Sequence, residues 1–293
     1  MYYRRKILMS ILEKSPNRQI SKLSLQKILF LFSLQKEEYY SFIPYQYGCY
    51  SLLANKDLSV LSDHYKLVAN NEKSWQLLDD NSYYEQLADV DKKTLNRLFN
   101  EFDVVNENNL ISYIYDNYPY YTINSKRRLT SFQLGLVNNE KQKIDSQNEP
   151  VVFSIGYEGK SIDEYLNLLV KNNIDLLCDV RKNPISMKYG FSKNALANFC
   201  QNLGIDYIHI PDLGIESQHR ESLKTIHDYK ILFDSYRLGL NDKGEPLSEV
   251  VSLIKKYNRC AFTCFELSHT YCHRGTLIEY LSNNFEIPKV EHL

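Results

Sequence analysis

Cys272-His273-Arg274 places a thiol, an imidazole and a guanidinium on consecutive residues where a helical pattern begins. Free amides at a helix start and neighbouring cations both favour the thiolate. Cys272 is therefore a candidate nucleophile, with Glu266 or His273 as its acid/base partner. A competing reading packs Cys272 under the last loop, because Cys is among the most buried residue types. Arg181 and Arg274 add two planar forks that match phosphate or carboxylate oxygens. Cys272, Glu266, Arg181 and Arg274 form the candidate catalytic set. Gly156, Tyr157, Lys160, Asp179, Asp212 and His273 form the candidate ligand-binding set. The chemistry they suit is recognition of an anionic, nucleotide-like ligand.

Other chemistries fit less well. Cys264 and His269-x-x-Cys272-His273 offer zinc-type donors. The adjacent Cys272 and His273 are expected to point apart, however, and no second ligand pair at regular spacing occurs. Neither a metal nor another cofactor is expected. Cys264 lies close enough to Cys272 in the proposed site for a reversible disulfide, whereas Cys178, Cys200 and Cys260 fall on core positions. No Walker A loop occurs, and Gly156-x-x-Gly159 lacks the third glycine of the dinucleotide fingerprint. A phosphatase loop needs Arg six positions after Cys, but Arg274 is two beyond Cys272.

The elements that must position these residues alternate strand and helix from Val151 onward, the mark of an α/β domain. Strands are expected at Val151–Ile155, Ile174–Val180, Tyr207–Ile210 and Cys260–Phe265, with a short one at Val290–Leu293. Helices are expected after Ser161, where Ser161 and Glu164 form a capping box, at Ser192–Leu203, near 223–238 and 246–257, and from Cys272. Residues just past the C-terminal ends of parallel strands gather along one edge, where ligands bind. That rule brings Gly156–Lys160, Asp179 with Arg181, Asp212, Glu266 and Cys272–Arg274 together.

The first half reads as helices: Tyr3–Leu12, Leu23–Leu34 and Ser51–His64, each with apolar residues at helical spacing. Two extended runs around Ala69–Glu72 suggest a hairpin, and further helices follow at about 90–102 and 107–117. Three helices and then a hairpin is the order of a winged helix-turn-helix, whose third helix can enter a major groove. That helix carries Lys56 but also Asp57 and Asp63, a poor match to phosphate. Dimerisation or substrate positioning is the alternative use of such a module. The polar stretch Asn138–Pro150 reads as the linker, giving domains of 1–145 and 150–293.

Over 293 residues, 35 basic side chains face 36 acidic ones. Of these, 19 basic and 17 acidic precede position 146, and 16 basic and 19 acidic follow it. Near neutrality excludes a generally basic nucleic-acid coat and leaves room for a local positive crevice. The chain has 24 Tyr and 13 Phe against one Trp, so ring surface can be buried while hydroxyls stay available for contact. No apolar run approaches the length of a membrane span, no secretory leader is evident, and six cysteines without a CxxC suggest a reduced, cytoplasmic protein with no membrane partner. Oligomeric state is not encoded in any of these features.

Phe153–Ser161, Cys178–Pro184, Gly190–Ser192, Tyr207–Gly214, Cys264–Glu266 and Cys272–Arg274 resemble, in order, the blocks of the domain-of-unknown-function 488 family. The resemblance spans about 151–293 and implies a Rossmann-like α/β domain with a mostly parallel sheet, those blocks lining its pocket. It implies no substrate. Phe42–Gly48 and Tyr118–Ser125 resemble, more weakly, the helical, winged-helix-like extension of longer members. Glu158 departs from the small or varied residue expected in the first glycine turn and argues against a phosphate seat there. The residues and the resemblance together point to a nucleic-acid- or nucleotide-directed enzyme. The alternative is a non-catalytic sensor that binds DNA through its first half and a ligand through its second.

Overall fold

The computed structural model describes residues 1–35, 39–146, 148–216 and 225–293. The chain divides into two units, Met1–Gln142 and Lys143–Leu293.

The first unit opens with α1 (Tyr3–Lys14), β1 (Gln19–Ser21) and α2 (Lys22–Ser33). The apolar stripe of α2, with Leu25, Ile28, Leu29 and Phe32, is wholly buried, and Ser21 caps it by accepting from the Ser24 amide at 2.9 Å. Next come β2 (Ile43–Tyr45) and β3 (Gly48–Tyr50), an antiparallel pair. Helix α3 (Leu52–Asp63) is followed by β4 (Val68–Asn70) and β5 (Ser74–Leu77), the expected hairpin. Strand β1, too short to show a period, adds to the far side of β5, giving an antiparallel sheet of order β1-β5-β4. Helices α4 (Asp89–Glu101), α5 (Glu107–Asn117) and α6 (Ser131–Asp145) complete this part.

Two expectations change here. The polar stretch beginning at Asn138 is not a linker throughout, because α6 continues to Asp145. With only Gln133 and Val137 buried, that helix has no apolar stripe for the sequence to display. Gln147, also in that stretch, lies outside the described residues. Asp57 is not an exposed charge on α3 either: it is buried, accepting from Arg4 Nε at 2.7 Å, Arg5 Nε at 2.8 Å and the Tyr40 hydroxyl at 3.0 Å.

The second unit contains β6 (Val151–Gly156), α7 (Ile162–Lys171), β7 (Leu176–Asp179), α8 (Lys193–Asn202), β8 (Asp206–His209), α9 (Ile226–Leu240), α10 (Gly244–Lys256), β9 (Arg259–Cys264), α11 (His273–Asn284) and β10 (Lys289–His292). The strands form one parallel sheet, ordered β10-β6-β9-β7-β8. Central strands β6, β7 and β9 are buried along their whole length, as expected for a parallel sheet covered on both faces. The capping box at Ser161 and Glu164 is formed. A second one, Thr225 with Asp228, starts α9; residues 223 and 224, expected in that helix, lie outside the described set. Among the described residues no helix is long and apolar enough to cross a membrane.

Candidate functional site at the sheet edge

From β6 the chain moves outward through β7 to β8, returns to insert β9, then leaves to β10 on the opposite edge. A crevice opens beyond the strand ends where this direction reverses. Its geometry depends on Gly156. A Cβ there would lie 1.9 Å from the Glu266 carbonyl oxygen, so only glycine lets the segment after β9 lie against the end of β6. The two segments then pair: the Tyr157 amide donates to the Cys264 carbonyl at 3.3 Å and the Glu158 amide to Phe265 at 2.8 Å. Glu158, the departure from the family pattern, has a structural use here. Its carboxylate accepts from the Leu267 amide at 2.9 Å and ties the two loops together.

Asp179 and Arg181, two residues apart in extended chain, turn to the same side and form a buried pair. Arg181 Nε lies 2.8 Å from Asp179 Oδ1, and the same carboxylate accepts the Tyr207 hydroxyl at 2.6 Å. The remaining Arg181 nitrogen, Nη1, donates to Phe191 O at 2.8 Å and to the Tyr157 hydroxyl at 3.1 Å. Burial would lower the Arg181 pKa, but the Asp179 hydrogen bonds and charge together raise it above the usual guanidinium value. Burial, reinforced by Asp179, pushes the Tyr207 phenol up. Tyr157 stacks on Phe191 with ring centres 4.4 Å apart.

Arg274 is likewise an internal group, 1% exposed. It donates to Ser154 Oγ at 2.9 Å, Glu266 O at 2.6 Å and Leu267 O at 3.0 Å. Both arginines expected to meet a ligand are therefore engaged in holding the strand ends and loops of the crevice.

Cys272 caps α11, but its thiol is buried and held well above the ordinary value, first by that burial and then by Cys264. The direction is opposite to the activation expected from a helix start. Cys272 and His273 were expected to point apart, yet the extended Cys272 backbone turns its sulfur towards the imidazole. His273 Nδ1 lies 3.9 Å from Cys272 Sγ and 3.7 Å from Cys264 Sγ. Glu266 Oε2 accepts from the Cys264 thiol at 3.2 Å. His269 does not join them; it stacks on His292 at 3.5 Å.

The crevice holds a cleft of about 340 Å³, walled by Tyr157, Arg181, Lys182, Asn183, Ser186 and Phe265, with Ile185, Met187, Ile215 and Cys264. Of the residues singled out from sequence, Tyr157 and Arg181 line it. Asp179, Gly156, Arg274, His273 and Cys272 are not among its wall residues, and Glu266 lies beside Cys264. Lys160 instead donates to the Gly156 carbonyl at 3.1 Å. Burial, and then Arg274, pushes its pKa down. Asp212 is exposed on the turn after β8 and reaches Lys182 at 3.6 Å. Lys182, Asn183 and Phe265 were not in the candidate sets but fall in the blocks Cys178–Pro184 and Cys264–Glu266, for which the family resemblance implied a pocket wall. The wall residues missed from sequence are Ile185, Ser186, Met187 and Ile215. A larger groove of about 670 Å³ runs between α9 and α11; there Arg237 and Glu279 pair with each other at 2.6 Å.

A parallel sheet of reversed winding, helices on its faces and a cleft at the strand ends define a Rossmann-like α/β domain. Residues 161–281 of it match the family model described as Domain of unknown function DUF488, which lies within the region of the sequence resemblance and starts after the Gly156 turn. No curated protein matches the chain.

Proposed function

We propose that this protein is nucleotide- or nucleic-acid-directed, and that its C-terminal unit takes a nucleotide-like ligand in the cleft beyond β6, β7 and β9. The supporting observation is the composition of the cleft wall: Tyr157 and Phe265 rings in edge contact at 5.3 Å, amide and hydroxyl groups on Asn183 and Ser186, and the Lys182 cation. Rings suit a base, and a cation beside hydrogen-bonding groups suits a phosphate. Of the two forms this function can take, an enzyme and a ligand sensor, the buried thiol of Cys272 favours the sensor. The acid/base group left for an enzyme is Glu266.

Helices α1, α2 and α3 followed by the β4-β5 hairpin, with β1 added to its β5 edge, support a winged-helix reading of the first unit, the β2-β3 pair lying between α2 and α3. Internal neutralisation of Asp57 removes one of the two charges that spoke against α3 approaching phosphate. We assign it a DNA-contacting role on that basis.

A thermal-shift series with nucleotides and short oligonucleotides tests the cleft reading. A ligand at a hundred times its Kd stabilises the folded state by about 2.7 kcal/mol. A shift that disappears in Lys182→Glu and Phe265→Ala supports the assignment, and a series without any shift overturns it. DNA affinity of the full chain should fall steeply with salt; salt-independent binding contradicts the winged-helix role.

A further inference from the structure

The end of β9 and the start of α11 bring two thiols and an imidazole to one point in the interior. Cys264, Cys272 and His273 are all buried, and their candidate donor atoms lie within 4.8 Å of one another. The tautomer of His273 follows from its partner on the other side. Nε2 is 2.9 Å from the Val180 carbonyl, which can only accept. Nε2 therefore donates, which leaves Nδ1 as the nitrogen able to offer a lone pair to the two sulfurs. Metal-bound histidines are oriented in the same way, by donating the opposite N–H to a fixed acceptor.

The spacing fits one metal class. Zinc bonds of about 2.3 Å to sulfur and about 2.0 Å to nitrogen, at a tetrahedral angle, set S and N about 3.5 Å apart. The two observed S···N separations are 3.7 and 3.9 Å, so a zinc ion fits with small side-chain adjustment. Two soft thiolates and an imidazole favour zinc over magnesium or calcium, which prefer oxygen. Three protein donors leave the fourth tetrahedral position to water.

We propose that Cys264, Cys272 and His273 form a mononuclear zinc site joining the end of β9 to the start of α11. The site is independent of the ligand proposed for the cleft, because metal content is read without any ligand present.

The test uses the full chain, purified under reducing conditions without chelator, loaded with Zn²⁺ and desalted. Elemental analysis should find about one zinc per chain. Replacing zinc by Co²⁺ should give the thiolate-to-cobalt charge-transfer band and the intense visible bands of a tetrahedral site. Cys264→Ser and His273→Asn should each lose the bound metal, whereas Cys200→Ser, on the buried face of α8, should keep it; circular dichroism checks that each variant is folded. Wild-type protein that is folded, reduced and retains no zinc overturns the proposal. So does a cobalt complex without the charge-transfer band, a readout that needs no variant. Full zinc retention in the folded Cys264→Ser and His273→Asn variants overturns it as well.

Discussion

Replacing Asp179 by Ala should be among the most damaging single substitutions in the C-terminal unit. The carboxylate is fully buried and accepts from the Arg181 guanidinium, the Arg181 amide at 3.1 Å and the Tyr207 hydroxyl at 2.6 Å. Without it, Arg181 remains 6% exposed with a charge that only Phe191 O and the Tyr157 hydroxyl can solvate. Removing one partner of a buried ion pair costs about 3–5 kcal/mol. At a urea dependence of about 2 kcal/mol per molar, the midpoint should fall by roughly 2 M. Urea unfolding of the full chain should be followed by far-UV circular dichroism and by fluorescence of Trp75, the single tryptophan, which lies in the first unit. The dichroism transition should shift. The double variant Asp179→Ala/Arg181→Met should recover part of the loss, because no unpaired charge remains. A midpoint change equivalent to less than about 1 kcal/mol would show that the pair is hydrated and the network does not hold the strand ends.

Gly156→Ala forces a Cβ to within 1.9 Å of the Glu266 carbonyl and should cost about 1–3 kcal/mol in a thermal melt; an unchanged Tm would mean the β9 loop can move away. Ser161→Ala removes the cap accepted from the Glu164 amide at 3.2 Å and should cost about 1 kcal/mol by the same measurement. Alkaline pH should weaken the fold, because burial raises the Cys200 thiol from 9.0 to about 12. Its contribution is fully present below pH 9.0, where both states hold the proton, and is lost as pH rises towards about 12, where only the unfolded chain has released it. Urea midpoints that stay level across that window would contradict the stated burial of the thiol.

In the C-terminal unit, strand and helix order was legible because buried parallel strands are continuous apolar runs and helices carry strong start signals, such as Ser161 with Glu164. The convergence of strand ends was legible for the same reason. The direction of each side chain at those ends was not. Arg181 and Arg274 read as ligand forks, yet each turns inwards to satisfy buried acceptors: Asp179 for one, the carbonyls of Glu266 and Leu267 for the other. Spacing also misled at Cys272 and His273, because one residue is an extended cap and the next begins the helix. Tyrosine hydroxyls, expected to be free for contact, are partly spent on buried carboxylates: Tyr3 and Tyr39 on Asp91, Tyr40 on Asp57, Tyr207 on Asp179. In the first unit, β1, β2 and β3 have three residues each, too few for a period of two to show.

We propose that the cleft beyond β6, β7 and β9 receives a nucleotide-like anion. The most direct measurement is fluorescence anisotropy of a labelled, 5′-phosphorylated oligonucleotide titrated with wild-type protein, with Phe265→Ala and with Lys182→Glu, each at two salt concentrations. Wild type should bind, removal of the Phe265 ring should cost about 1–3 kcal/mol, and Lys182→Glu should show a weaker salt dependence. Equal affinity of all three proteins, or no binding by the wild type, would contradict it.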